Sequence, residues 1–438
     1  MSKGGKDTLR EGLKTLLLLV LVLCSIFLTA RLLFGLPPLE TVAPPAYEKL
    51  AFGELRPTDR QVLPVLRFGL QQLYPWSPGY ALAWESIRQL IGKTREISPE
   101  RQEKPDPGEG GQLLVNFPLP VTPELWGGAP LDGLPPVTAI AWLAADPSAF
   151  WYQGAQGNWL RTTAANLRVT PDNLQSIFRG APAFRFAERQ EWAKLGLNVD
   201  NEVLLPVSLP ALAPRSVMRE DLDFDKLLRS VFPNPPLVRR IEEREGAVIY
   251  TDGQRGLRLF DYGEVEFNSP KSEPGLDRMT LLTALRRTAQ YLQIMGGWPE
   301  HLFVGEAAPE GLESRGEIYA VALFSVQNGM PLLQQAPPVR LRFSDRGVVS
   351  YNRQVLVLGA DKAQAKTLLS PLVAAASLAE AMAGWENKPT ILDVFPAYYV
   401  REPANPQVLA LPVWAFACSD GRTAVVHGHS GQFLSWLE

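Results

Sequence analysis

One stretch limits the fate of this chain more than any other. Leu13 to Phe34 reads LKTLLLLVLVLCSIFLTARLLF, 22 residues with charge only at Lys14 and Arg31 near its ends. At about 1.5 Å per residue, a helix of this length spans roughly 33 Å, against a bilayer hydrocarbon core of about 30 Å. Both charged side chains lie near enough to the ends to snorkel toward the headgroups. The pattern predicts a transmembrane helix over 13–34. A secretory signal peptide shares the basic-then-apolar order, but the small residues around Ala30 are followed at once by Arg31-Leu32-Leu33-Phe34, so the run continues past any A-x-A-like cleavage site. Lipidation at Cys24 is disfavoured by the bulky Leu23 before it. The expectation is an uncleaved anchor.

Within residues 1–14, Lys3, Lys6, Arg10 and Lys14 outweigh Asp7 and Glu11. The positive-inside rule then leaves residues 1–12 in the cytoplasm and everything after Leu36 outside. Once those six residues and Arg31 are set aside, 38 basic and 44 acidic residues leave the body near −6. No basic stripe interleaved with aromatics occurs in it, which argues against a nucleic-acid partner. With Cys24 in the bilayer, Cys418 has nothing to pair with, so the body relies on cores rather than disulfides, a habit that fits a Gram-positive envelope.

The chain of 438 residues exceeds one ordinary domain, and 39 prolines with 35 glycines signal many turns between short strands. A Pro-rich stalk (35–57), with Pro37-Pro38 and Pro44-Pro45, precedes an N-terminal α+β domain (58–216), a middle α+β domain (217–358) and a C-terminal α+β domain (359–438). The expected fold class is therefore α+β, antiparallel sheets packed on helices behind a membrane anchor. Helical spacing of Val62, Leu63, Leu66, Leu70 and Leu73 predicts a helix over 59–74, and a second is expected over 78–92. Residues 98–111 are almost without apolar side chains and read as a surface loop. Strands are expected over 112–119, 136–144 and 150–160, then a helix from Thr170-Pro171-Asp172. Thr251-Asp252-Gly253 marks a hairpin between 247–250 and 257–260, and 265–268 continues the meander. Helices over 276–295 and 362–383 are each followed by three strands, and they end in Met295-Gly-Gly-Trp298 and Met382-Ala-Gly-Trp385. The last two domains thus read as a duplicated fold.

Catalytic and metal-binding patterns are sparse. His427-Gly-His429 puts two imidazoles on one face of a strand, but no second ligand cluster accompanies them, which favours two polar surface residues. His429-Ser430-Gly431 is not a nucleophile elbow, because Gln432 stands where G-x-S-x-G needs glycine. The glycines at 253–256 and 108–111 do not connect a buried strand to a helix, so they do not cradle phosphate. Glu242-Glu243-Arg244-Glu245 reads as a solvated face. Trp76, Trp84, Trp126, Trp142, Trp151 and Trp159 make the N-terminal domain a candidate contact surface, although most indoles belong in cores. No catalytic residue, metal or cofactor is expected. The rival class is a membrane-anchored envelope enzyme or a binder of wall polymer or a small ligand.

The segment AVIYTDGQRGLRLFDYGEVEFNSP, Ala247 to Pro270, resembles the YycH family, with its relative YycI as a looser match. Tyr250, Thr251, Asp252 and Gly253, then Arg255 and Gly256, carry the likeness, and the order of anchor, long first domain and two later α+β units agrees with it. The resemblance implies a non-enzymatic membrane protein that associates with the WalK (YycG) sensor histidine kinase and with a YycI-like sister protein, and so bears on cell-wall metabolism. Ser25, Thr29 and Ala30, small residues that allow close helix approach, are the expected transmembrane contact.

Overall fold

Alternating burial along Val65–Phe68 and Gln112–Val121 sends Leu66, Phe68, Leu113, Val115 and Phe117 to one side of a sheet and Arg67, Leu114 and Asn116 to the other. The structure, a computed structural model, describes residues 17–25, 28–29, 50–93, 96–102, 111–126, 134–163, 169–232, 238–244, 246–269, 279–313, 316–401 and 409–437. Contacts divide the chain into two units, 1–49 and 50–438. In the first, residues 17–25 and 28–29 are helical and their leucines exposed. Among the described residues no helix is long and apolar enough to cross a membrane.

The second unit begins with a seven-stranded antiparallel sheet. Its strands are β1 (Val65–Phe68), β2 (Gln71–Leu73), β3 (Glu96–Gln102), β4 (Gln112–Val121), β5 (Val137–Leu143), β6 (Asp146–Gly154) and β7 (Trp159–Thr163), in the order β2-β1-β4-β5-β6-β7-β3. Helix α1 (Tyr80–Ile91) buries Trp84, Ile87 and Ile91, and Trp84 meets Phe117 edge-on at 6.1 Å. Each such fully buried aliphatic contributes about 1.5–3 kcal/mol.

Several expectations fail here, each for a local reason. Residues 59–74 are not a helix but a short 3-10 turn and the β1–β2 hairpin. Pro64 removes an amide donor, and Gly69, at φ +57°, makes the turn that an L-residue resists. Part of the expected loop 98–111 is β3, which pairs with β7 across a register shift between Ile97 and Arg101. A polar edge strand of this kind lacks the apolar alternation by which a strand is recognised. The single expected strand 150–160 is two, β6 and β7, separated at Gly157 with φ +81°. The expected helix at 170 runs over Pro171–Ile177, with the Thr170 hydroxyl accepting from the Asn173 amide.

A 16-stranded assembly and two small two-stranded sheets form the rest of the described strands. Strands Leu302–Glu313, Gly316–Gln327, Val339–Ser344 and Gly347–Arg353 make an antiparallel meander on the helix Leu281–Ile294. Strands Thr390–Tyr399, Leu409–Cys418, Thr423–His427 and Phe433–Leu437 repeat that order on the helix Pro371–Ala381. Each unit therefore has a fourth strand beyond the three expected. The helices are also shorter than expected, being capped by Thr280 and Ser370, whose hydroxyls accept from Thr283 and Val373 amides. Pro371 is tolerated only in a first turn, so the second helix cannot begin at 362.

A parallel pairing of Met330–Leu333 with Thr390–Tyr399 joins the two meanders. The hairpin strands Val248–Thr251 and Gly256–Leu259, with Val265–Asn268, extend the first meander through Gly347–Arg353. The core of the last unit takes Trp192, Leu197, Val199 and Leu205 from early in the chain and packs them with Leu378, Ile391, Trp414 and Phe416.

Candidate functional site

The hairpin that carries the family resemblance is held by its own groups. Tyr250 pairs with Leu257 and Thr251 with Gly256. The Thr251 hydroxyl donates to the Arg255 carbonyl at 2.7 Å and accepts from the Gly253 amide at 3.0 Å. Asp252 accepts from the Gln254 and Arg255 amides at 2.9 and 2.8 Å and from the Arg255 guanidinium at 2.8 Å. Burial works against ionisation of Asp252, but those two amides and the guanidinium outweigh it and hold the carboxyl below the usual carboxylate range. Gly253 takes φ +82°, which the turn demands. Farther along, Arg258 bonds to Glu243 at 2.7 Å and lies over the Phe260 ring at 4.4 Å, and Arg240 pairs with Glu242. The Arg258 contact ties its strand to the segment after Arg239–Glu242, whereas the Arg240–Glu242 pair lies within one strand.

Of the expected transmembrane contact, Ser25 and Thr29 are described, and the Thr29 hydroxyl donates to the Ser25 carbonyl at 2.8 Å, so it is spent within its own helix. Ala30 lies outside the described residues. His427 and His429 have ring centroids 5.8 Å apart, but the rings turn to different partners, Ser430 Oγ at 2.9 Å and the Lys366 carbonyl at 3.1 Å. Among the described residues no group of three or more His, Cys, Asp or Glu stands ready for a metal. Trp84, Trp126 and Trp142 are buried in the main core, Trp151 and Trp159 are buried in a smaller cluster on the other face of the sheet, and Trp76 is half-buried.

Glu220, Arg353 and His301 form a titratable group in the middle unit. Arg353, 1 % exposed, takes Glu220 with two bonds of 2.7 and 2.8 Å and donates to the Gly297 carbonyl at 2.8 Å and the Met295 carbonyl at 3.3 Å. Burial lowers the His301 imidazole below its ordinary value, against the pull of Glu220. The guanidinium is consumed in holding the carbonyl end of the helix Leu281–Ile294, and the buried His301 Nε2 beside this group makes no hydrogen bond among the described residues.

Sequence reasoning missed a cleft of about 350 Å³ between the open face of the seven-stranded sheet and the last unit. Two cross-strand rows build its sheet side. One runs Val65, Asn116, Ala139, Gln153, Trp159 over five strands. The other runs Gln72, Arg67, Leu114, Ala141, Trp151. Glu202, Leu204, Leu392 and Asp393 close the opposite wall. Arg67 is ion-paired with Glu202, and Asp393 accepts from the Tyr74 hydroxyl at 3.0 Å and from the Val394 amide at 2.8 Å. Burial pushes the Asp393 carboxyl up to about 6. The alternation Gln112, Leu114, Asn116 was visible as a strand's polar face, but its opposing wall comes from two distant places in the chain, Glu202 with Leu204 and Leu392 with Asp393.

The arrangement defines an α+β protein of two helix-plus-meander units behind an N-terminal sheet, and this is a YycH-like fold. YycH from Bacillus subtilis has a solved structure that matches 86 % of this chain and 98 % of its own at 14 % identity, with a TM-score of 0.60. An uncharacterised protein from Eubacterium rectale matches 54 % of this chain and 92 % of its own (10 % identity, TM-score 0.36). The C-terminal domain of YpeB from Bacillus megaterium matches 50 % and 98 % (10 % identity, TM-score 0.30). No protein-family model matches the chain, and no curated protein matches it.

Proposed function

We propose that this chain is a non-enzymatic, membrane-anchored regulator of a sensor histidine kinase of the WalK (YycG) kind, acting with a YycI-like sister protein and bearing on cell-wall metabolism. The observation that carries the reading is the YycH-like fold over 86 % of the chain, and the 22-residue apolar run supports the anchor. In this reading the run spans the membrane, residues 1–12 are cytoplasmic and the body lies outside. The two helix-plus-meander units are divergent copies of one another.

Such a regulator needs little chemistry. A single helix beside the kinase's helices shifts its output if it binds one kinase state better than the other, and only that difference counts. A coupling of about 1–3 kcal/mol changes the balance of states roughly 5- to 150-fold. The test is to reconstitute the full chain with the kinase in vesicles and follow co-purification and kinase autophosphorylation. The expected result is a stable complex with an altered phosphorylation rate. A kinase that neither retains the chain nor changes rate in its presence removes this function.

A further inference from the structure

The cleft on the N-terminal sheet has features that polar surface by itself does not explain. Its three charged side chains are already engaged, Arg67 and Glu202 with each other and Asp393 with the Tyr74 hydroxyl and the Val394 amide. An ion entering it would have to displace an existing partner. By contrast, the side-chain amides of Gln112, Asn116 and Gln153 face the cleft without a hydrogen-bond partner among the described residues. Each amide offers two donors and an acceptor. What remains open to a ligand is therefore neutral and two-sided, able to give and receive at every point.

The strands that present these side chains lie inside the sheet. β1, β4, β6 and β7 each have a hydrogen-bonded neighbour on both sides, so their backbone groups are already paired. A peptide strand, which binds chiefly through backbone bonds to a free edge, finds none at the strands that carry these amides. Asn116 and Gln153 stand in one register row, two strands apart, which at strand spacing is about 10 Å. Beside Asn116 in the adjacent row lies Leu114 and on the opposite wall Leu392, the latter 50 % exposed, apolar surface for the C–H faces of a ring. The volume of about 350 Å³ lies at the small end of ligand sites.

We propose that this cleft binds a neutral saccharide of about two rings, with Asn116 and Gln153 gripping its hydroxyl or acetamido groups at either end and Leu114 and Leu392 packing against its faces. The site stands on its own lining and holds whether or not the chain regulates a kinase.

The test titrates the full-length chain by calorimetry with N,N′-diacetylchitobiose, cellobiose and a blocked alanine tripeptide. At least one disaccharide is expected to saturate the protein, and the double variant Asn116→Ala/Gln153→Ala to weaken it about tenfold or more, the loss of two hydrogen bonds. Leu392→Trp is a second, independent variant, because it fills the cleft from the opposite wall at an exposed position without touching the amides, and it should abolish binding. Absence of disaccharide binding up to about 10 mM, binding of the tripeptide alone, or full affinity in either correctly folded variant overturns the proposal.

Discussion

The Tyr74 hydroxyl donates to the Asp393 carboxylate at 3.0 Å across 319 positions of sequence, tying the end of the β1–β2 hairpin to the first strand of the last meander. Around this bond Tyr74 stacks on Trp76 at 4.6 Å, and Phe395 tilts against both rings at 6.3 and 5.7 Å. The junction thus combines an aromatic clamp with a single buried polar contact, and the same carboxylate forms part of the cleft wall.

Asp393 makes stability depend on pH in a direction opposite to that of most carboxylates. An unfolded aspartate releases its proton near 3.8, whereas the folded chain holds it up to about 6. Between those values the folded state binds more protons, so this group's contribution to stability falls as pH rises from about 4 to about 6 and stays low above. Asp393→Asn keeps a neutral acceptor for Tyr74. It should raise the urea midpoint at pH 7.5 and leave it unchanged near pH 4; an equal effect at both pH values would contradict the assignment.

Tyr74→Phe keeps the ring stacking and deletes the donor. With only the Val394 amide left to its carboxylate, the junction should lose about 1–3 kcal/mol at pH 7.5 in urea unfolding. Asn at 393 should blunt that loss in a double-mutant cycle, because a neutral group tolerates burial better than an ion.

Glu220→Ala leaves the buried Arg353 charge without its counter-ion. The expected cost is roughly 3–5 kcal/mol, the range for breaking one side of a buried pair. Equilibrium unfolding measures it, and a loss below about 1 kcal/mol would mean that the carbonyls of Met295 and Gly297 alone satisfy the guanidinium.

Gly253→Val forces a β-branched residue into φ +82°, although no atom lies within 4 Å of the added Cβ. Backbone strain alone should then cost about 1–2 kcal/mol. Asp252→Ala removes four acceptor contacts, two from amides and two from the Arg255 guanidinium, and should cost about as much. Both changes act within the turn, so hydrogen exchange is expected to rise over residues 248–259 and to stay constant in the last meander.

Ser25→Leu with Ala30→Leu tests the proposed helix contact, since bulky side chains keep two backbones from approaching closely. Co-purification of kinase and regulator should fall severalfold; unchanged recovery takes these residues out of the interface. Thr29→Val is expected to do little, because its hydroxyl already bonds to the Ser25 carbonyl.

How far local pattern reaches is clear from particular elements. The hairpin at 248–259 was legible because Asp252-Gly253 has few alternatives to a tight turn, and Thr170-Pro171 carries its cap in adjacent residues, whereas the equivalent Ser370-Pro371 start falls inside the helix expected from 362. The stretch 59–74 reads as a helix because Leu63, Leu66, Leu70 and Leu73 fit a helical period, but Pro64 and Gly69 within it are breakers that outweigh that period. The α+β class, the apolar run and the turn chemistry depend on contacts a few residues long, and for them composition and spacing suffice.

The cleft and the Tyr74–Asp393 junction depend on something else. Their walls are supplied by strands hundreds of residues apart, and whether Asn116 meets water or Asp393 is decided when the sheets pack, by register and burial summed over the whole chain. A polar residue on a strand looks the same in either case until the opposite wall arrives, which is why the fold class was readable from one dimension and the site required three.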